Sequence, residues 1–158
     1  MNISVGISDW KTCKPPDVLV TYALGSCVGI CLWDKMNRVS GLSHVMLPDS
    51  STVSKVGENR MKFADTAVPD MHKKMLQSGA LQRNLVAKIA GGAVMFASAS
   101  SQFNIGERNV EAVRKVLKFL QIPIIAHDTG KNYGRTVFFH PETGKMEIKS
   151  SAHGVTTL

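Results

Sequence analysis

A cysteine and a histidine on neighbouring apolar segments are the residues of this chain whose types could do covalent chemistry. Cys27 ends a turn of small residues that begins at Gly25 and leads into the apolar residues 28–33, and His44 lies on the apolar segment after these. A thiol attacks a carbonyl carbon only as the thiolate, and an ordinary cysteine pKa of about 8.5 leaves a few per cent ionised at neutral pH. A reactive cysteine therefore needs a nearby base, and His44 is the candidate for that base.

Two predicted strands would bring these two side chains together. Residues 28–33 and 38–44 are rich in apolar and β-branched residues, which is typical of buried strands. If they pair through a four-residue loop, residues 34–37, Cys27 lies directly opposite His44, and the β-carbons of such a pair are about 5 Å apart. A slip of one residue would turn the imidazole to the other face of the sheet, so the contact depends on the register.

The neighbours of the cysteine favour access by a substrate. Gly25 and Ser26 are small enough to let a carbonyl approach backbone N–H groups near Ser26 and Cys27, which could stabilise an oxyanion. The hydroxyl of Thr21 could orient a ring nitrogen of His44, although threonine is also simply a good strand former. From chemistry alone, Cys27 is equally well a small core residue, and His44 a hydrogen-bonded core histidine.

A glycine pair and a possible set of metal ligands also occur in the sequence. Gly91-Gly92 lacks the Gly-Lys-Ser/Thr that follows in a phosphate loop, so the pair predicts either a tight turn or close backbone approach to a substrate. Cys27 and Cys31 are four residues apart, about 13 Å on an extended strand, and could share a zinc ion only if that strand were broken. We expect no metal.

Composition predicts one soluble domain over residues 1–158. The chain is 44% hydrophobic and 20% charged, as in ordinary globular proteins, and has no long Pro-, Ser- or Gln-rich linker. No apolar run approaches the roughly 18 residues of a membrane span, and the first residues lack the features of a signal peptide. Three cysteines form an odd set, which favours reduced thiols. We therefore expect a cytoplasmic protein without direct membrane insertion.

The net charge of +7 leaves several kinds of partner open. Nucleic acid, an anionic membrane and an acidic protein are all attracted to a basic surface. The basic residues, however, fall largely on predicted helices, where they are typical of a solvated face. Two Trp and two Tyr offer few surfaces for base stacking. Nucleic-acid binding remains a weaker alternative.

The pattern of elements predicts an α+β fold, layered, with mixed and largely antiparallel sheets and two main helices. The first helix would be capped by Thr66 or Asp65, with Pro69 in its first turn, and would end at Gly79. The second would begin at a capping box from Asn104. Seven strands are predicted, at residues 18–21, 28–33, 39–47, 85–90, 123–126, 135–139 and 145–149.

Several spaced motifs, in order, resemble those of the chemoreceptor glutamine deamidase family, CheD. The resemblance runs from Thr21 to about Gly144. Its motifs are Leu24-Gly25-Ser26-Cys27, His44-Val45-Met46-Leu47-Pro48-Asp49-Ser50, Ala64-Asp65-Thr66-Ala67, Lys88-Ile89-Ala90-Gly91-Gly92-Ala93 with Met95-Phe96, and Asn104-Ile105-Gly106 with Arg108-Asn109.

This resemblance implies a fold related to the deamidating toxins of the cytotoxic necrotizing factor type. It also implies a triad of Cys27 as nucleophile, His44 as base and Thr21 as its orienting partner, acting without a metal or organic cofactor. The implied substrate is a glutamine side chain in the cytoplasmic domain of methyl-accepting chemotaxis receptors. The alternative that it implies is a regulatory binding module for a CheC-type chemotaxis phosphatase, with secondary or vestigial catalysis.

Overall fold

The computed structural model describes residues 1–52, 59–94 and 104–158, and in these residues ten strands and two α-helices are seen. The helices are α1, Ala64–Gln77, and α2, Ile105–Phe119. The strands are β1 Asn2–Ser4, β2 Asp9–Cys13, β3 Val18–Leu24, β4 Val28–Asp34, β5 Val39–Val45, β6 Val86–Gly91, β7 Ile124–Thr129, β8 Arg135–His140, β9 Lys145–Ser150 and β10 Gly154–Thr157.

The described strands form two five-stranded sheets. The first sheet has the order β1-β3-β8-β9-β10, and the second has the order β2-β5-β4-β6-β7. Pairing is parallel between β1 and β3 and between β6 and β7, and antiparallel elsewhere. The prediction of an α+β fold with mixed, largely antiparallel sheets and two main helices is confirmed.

The second sheet is the middle of three layers because both of its faces are apolar. Along β4, Ile30 and Leu32 pack in the cluster that also contains the buried residues of α1 and α2. The alternate residue Cys31 packs in a second cluster, with Leu19 and Phe139 of the first sheet. Successive side chains of a strand point to opposite faces, so this alternation places the helices on one side and the first sheet on the other.

The seven predicted strands are all present, and the three that were not predicted are edge strands. β1 and β10 are the outer strands of the first sheet, and β2 is an outer strand of the second. β10 is exposed along its whole length, and β1 has only three residues. β1 and β10 are only three and four residues long, and β2 has no fully buried residue, so none of them shows the apolar run by which a buried strand is recognised. Residues 93–96, an apolar segment after Gly91-Gly92, also predict a continuation of β6; Ala93 and Val94 lie outside any strand, and the rest of the segment lies outside the described residues.

The predicted start of α1 is wrong. The N-cap is Phe63, whose side chain forms no capping hydrogen bond, and Pro69 falls in the second turn. The two residues predicted as caps form hydrogen bonds with other groups. Asp65 accepts hydrogen bonds from Ser50, and the Thr66 hydroxyl donates to the carbonyl of Arg60. Burial of Phe63 in the core therefore outweighs the usual preference for a polar cap.

The other helix boundaries agree with the sequence signals. Gly79, with φ of +108°, follows the end of α1, as a glycine commonly does beyond a helix terminus. The side chain of Asn104 accepts a hydrogen bond from the backbone N–H of Glu107 at the start of α2. No helix among the residues described is long and apolar enough to cross a membrane.

Candidate active site

The predicted pairing of Cys27 with His44 is wrong by two residues, yet the two still share a face. His44 lies opposite Gly29, because Asp34 stays in β4 and pairs with Val39. The hairpin loop therefore begins one residue later than predicted. A shift of two residues in the β4–β5 register leaves each side chain on the same face of the sheet. Cys27 therefore becomes a diagonal neighbour of His44 instead of lying directly opposite it.

Both side chains point into the space between the two sheets. Cys27 is partly buried and packs on the apolar cluster that joins the sheets, whereas His44 is fully buried. His44 is also held in place through its backbone. Its carbonyl accepts a hydrogen bond from the N–H of Ser8, and its strand is paired on both sides, by β2 and by β4.

Thr21 of the first sheet reaches His44 of the second through a hydrogen bond. The Thr21 Oγ1 lies 2.7 Å from the His44 Nδ1, and also 2.7 Å from the carbonyl oxygen of Val5. A hydroxyl has one proton to donate, and a carbonyl oxygen can only accept. Thr21 must therefore donate to Val5 and accept from an Nδ1–H of His44. This assignment leaves the His44 Nε2 unprotonated, with a lone pair that can accept a proton.

The His44 imidazole is neutral under ordinary conditions. Burial lowers its pKa from 6.5 to about 4. Its Nε2 is buried, and no group in the described residues forms a hydrogen bond with it. A buried polar atom without a partner loses the hydrogen bond that it would make with water. The ring therefore presents an unsatisfied acceptor on the same face as Cys27.

The Cys27 thiol is also neutral at rest. Burial raises the pKa of the Cys27 thiol above its usual range, and the residue's own backbone N–H lowers it by a smaller amount. Neither neighbour is therefore charged near neutral pH. Two neutral groups do not form a resting thiolate–imidazolium pair, so a reaction that used both would have to move the proton from sulfur to Nε2 during attack on a substrate.

Gly91-Gly92 lies against the turn of residues 25–27, which we call the cysteine turn. The N–H of Gly92 donates to the Cys27 carbonyl at 2.8 Å, and the N–H of Ala93 donates to the Gly25 carbonyl at 2.9 Å. A β-carbon on Gly91 would lie 2.3 Å from the Cys27 carbonyl oxygen. The close approach expected of this pair is therefore made to the cysteine turn itself. A role for Gly91 and Gly92 in substrate binding stays a prediction.

Asn109 is a site residue that the sequence reasoning missed. It is fully buried on α2, and its side-chain N–H groups donate to the carbonyls of Ser26 and Met46. The available signal was its position one turn before Val113, on the apolar face of the helix. An asparagine at such a position is unfavourable unless its side chain has a specific partner.

The remaining cysteines lie away from this arrangement. β4 runs unbroken from Val28 to Asp34, so Cys27 and Cys31 keep the separation that argues against a shared metal. All three cysteines are free thiols. Across the described residues, no group of three or more His, Cys, Asp or Glu side chains is arranged to hold a metal ion.

The fold and the site together define a two-sheet α+β protein with a partly buried thiol and a buried neutral imidazole in the space between its sheets. A similar fold occurs in the crystal structure of the Bacillus licheniformis hypothetical protein YfiH, with a TM-score of 0.51 and 14% identity, over 77% of this chain and 50% of that one. This likeness supports the fold alone. The predicted relation to cytotoxic necrotizing factor type toxins stays a prediction.

The chain belongs to the CheD family. The family model described as CheD chemotactic sensory transduction matches residues 46–150. A relative from Lachnoclostridium phytofermentans is 53% identical, over 94% of this chain and 92% of its own length. One from Caldanaerobacter subterraneus is 50% identical, over 97% and 95% respectively. Both relatives are named probable chemoreceptor glutamine deamidase CheD.

Alkylation of Cys27 by iodoacetamide should follow the ionisation of a buried thiol. We expect the second-order rate to rise with pH throughout the neutral range without levelling off, because burial raises the thiol pKa above 9.0. Peptide mass mapping would assign the label to Cys27 and separate it from Cys13 and Cys31. A rate that reaches its plateau below pH 7 would instead show a thiolate already paired with an imidazolium.

Proposed function

We propose that this protein hydrolyses glutamine side chains of methyl-accepting chemotaxis receptors to glutamate, with Cys27, His44 and Thr21 as its catalytic triad. The single observation that supports this most strongly is the hydrogen-bonded chain from Val5 through Thr21 to His44, which leaves the His44 Nε2 unprotonated and able to act as a base. The names of the relatives supply the reaction and its substrate class. In this proposal, residues 1–158 form one deamidase domain that acts in the cytoplasm.

In the proposed first half-reaction, the His44 Nε2 accepts the Cys27 proton as the sulfur attacks the carboxamide carbon. A base with a pKa of about 4 is too weak to hold that proton beforehand, so transfer and attack occur together. The tetrahedral intermediate carries an oxyanion, which backbone N–H groups near Ser26 and Cys27 stabilise. The Nε2–H then protonates the amide nitrogen, ammonia leaves, and a thioester remains.

The second half-reaction hydrolyses the thioester. His44 Nε2 accepts a proton from water as the water oxygen attacks the thioester carbon. The tetrahedral intermediate collapses, the proton returns to the Cys27 sulfur, and the side chain leaves as glutamate. Thr21 keeps the ring in the reactive tautomer through both halves, since its hydroxyl proton is directed to Val5. No step requires a metal or organic cofactor.

The proposed substrate contacts follow from the position of the cysteine turn. Gly25 and Ser26 lie at intermediate exposure beside Cys27, so an extended glutamine side chain can approach them. The backbone N–H of Cys27 belongs to the same residue as the attacking sulfur, and it lowers the pKa of that thiol. Donors at this position would meet the oxygen of a carboxamide attacked by the same sulfur.

The replacement Cys27→Ala should abolish deamidation while the protein stays folded. With a purified receptor cytoplasmic fragment, we expect ammonia release and the glutamine-to-glutamate mass change to fall by at least about a thousandfold, because the covalent route is lost. The matched control is Cys13→Ala, another partly buried thiol, which should keep full activity. Wild-type rates in Cys27→Ser or Cys27→Ala would remove the mechanism.

A second candidate function is regulation through a CheC-type chemotaxis phosphatase. The observation that favours it is a groove of about 490 Å³ between α1, α2 and the segment after β5. The apolar side chains of Pro69, Val116 and Phe119 line it, together with charged groups such as Arg108 and Glu111. Phe119 is 83% exposed although it is a large apolar residue. A partner helix with an apolar face would cover these groups.

The replacement Phe119→Asp should weaken binding of a CheC-type phosphatase by about tenfold or more, because a charge would enter the apolar contact. Titration of the purified partner by calorimetry would measure the change. Met36→Asp, at an exposed apolar residue in the β4–β5 hairpin, is the matched control and should bind normally. Equal affinity of both variants and the wild type would dismiss this groove as the docking surface.

A further inference from the structure

We propose that Asn109 is a positioning residue that fixes the place of the cysteine turn relative to the end of β5, the strand that carries His44 and is called the histidine strand below. The inference rests on the proposed deamidation by Cys27 and His44, and it adds the group that aligns them. Asn109 is fully buried. It belongs to a motif, Arg108-Asn109, to which the proposed chemistry assigns no role.

The contacts of Asn109 join the two chain segments that carry the nucleophile and the base. Its Nδ2 donates to the carbonyl oxygen of Ser26 at 2.9 Å and to that of Met46 at 3.0 Å. Ser26 directly precedes Cys27, and Met46 follows His44 by two residues. Both partners are acceptors, so only the NH₂ end of the amide can face them. One planar group thereby fixes the separation of the two carbonyls.

The two hydrogen bonds of Asn109 lie just beyond the point where backbone pairing between β4 and β5 ends. The ladder between β4 and β5 ends at the pair Val28 and Val45. Cys27 lies one residue beyond that pair, in a bend. Its backbone is therefore held to the histidine strand by the Asn109 side chain rather than by a further ladder pair. Loss of the amide would leave the turn its hydrogen bonds from Gly92 and Ala93 but would remove this link to the strand that carries His44.

Glycines let α2 approach closely enough to make the bridge. A β-carbon on Gly106 would lie 2.3 Å from the Ala93 carbonyl oxygen and 2.7 Å from that of Gly92. A β-carbon on Gly92 would lie 2.2 Å from a methyl group of Val110. The first turns of α2 therefore lie directly on the segment that supports the cysteine turn, and Asn109 reaches both carbonyls from there.

Packing alone does not account for an asparagine at this position. Its Oδ1 is buried and has no hydrogen-bond partner in the part of the chain that the structure describes. An unsatisfied buried acceptor is destabilising, and an apolar side chain of similar size would avoid that cost. The neighbouring residue on this face, Val113, is apolar and packs in the core. The two donated hydrogen bonds are the property that distinguishes Asn109.

The test compares Asn109→Leu with Val113→Ala in the full-length protein. Asn109→Leu removes both donors at similar volume, and we expect kcat for a receptor fragment to fall about 10- to 100-fold while KM stays within about threefold, because a misplacement of the order of 1 Å has such an effect. Val113→Ala should lower the melting temperature and keep kcat within about threefold. If Asn109→Leu does not fold, Asn109→Ala replaces it with the same expectation.

Two outcomes would overturn the proposal: wild-type kcat in the Asn109 variant, or a loss of kcat in both variants that follows their loss of melting temperature. Wild type and Cys27→Ala run beside them separate this from failure of the proposed function. If the wild type does not release ammonia, or Cys27→Ala still does, the deamidation itself is refuted. If both behave as proposed and Asn109→Leu matches the wild type, only the positioning role is lost.

Discussion

The single proton of the Thr21 hydroxyl determines the chemistry available to the rest of the site. Because that proton goes to the Val5 carbonyl, His44 must donate from Nδ1 and keep Nε2 free. The series of hydrogen bonds from Val5 through Thr21 to His44 also joins the two sheets, since Thr21 lies on β3 and His44 on β5. The state of the base thus depends on how the first strands of the protein pack against the second sheet. A rotated or displaced N-terminal segment would remove the acceptor that directs the Thr21 proton.

Three layers of the molecule meet at the cysteine turn, and each constrains a different property. The first sheet supplies Thr21 and so sets the tautomer of the base. The second sheet places Cys27 and His44 on one face, through the pairing of β4 with β5. The helical layer contributes Asn109, whose amide spans the gap left where that ladder ends. Burial in this region also keeps thiol and imidazole neutral, so ionisation is linked to the reaction step rather than stored in the resting protein.

The sequence was sufficient for the α+β class, for seven of the ten described strands and for the presence of both helices. These features have local signals, such as apolar runs bounded by turn residues and the Asn104 cap. Three edge strands, β1, β2 and β10, were missed because they are short or have no fully buried residue, whereas the edge strand β7 was predicted from the apolar residues at its start. The Cys27–His44 register was wrong by two because Asp34 remains in β4, where its carboxylate accepts hydrogen bonds from the backbone N–H groups of Asn37 and Leu81. Leu81 is a distant residue, and no local pattern reveals that contact.

The role of Val5 could not be predicted for a related reason. Its contribution is a backbone carbonyl, which every residue type has, and only the folded path of the first strands brings it to Thr21. Asn109 carried a weak signal, a polar residue on an apolar helix face, but its two acceptors are 83 and 63 residues away in the chain. Side chains identify the candidates for chemistry, whereas long-range backbone contacts decide how they are oriented.

Nitrogen-15 NMR of the His44 ring across a pH titration tests the central claim most directly. The account predicts a proton on Nδ1 and a bare, pyridine-type Nε2 from neutral pH down to about pH 4, where the ring becomes charged. Assignment by comparison with His44→Gln would separate this signal from those of the other histidines. A proton on Nε2 at neutral pH, or a ring that is already charged there, would contradict the account.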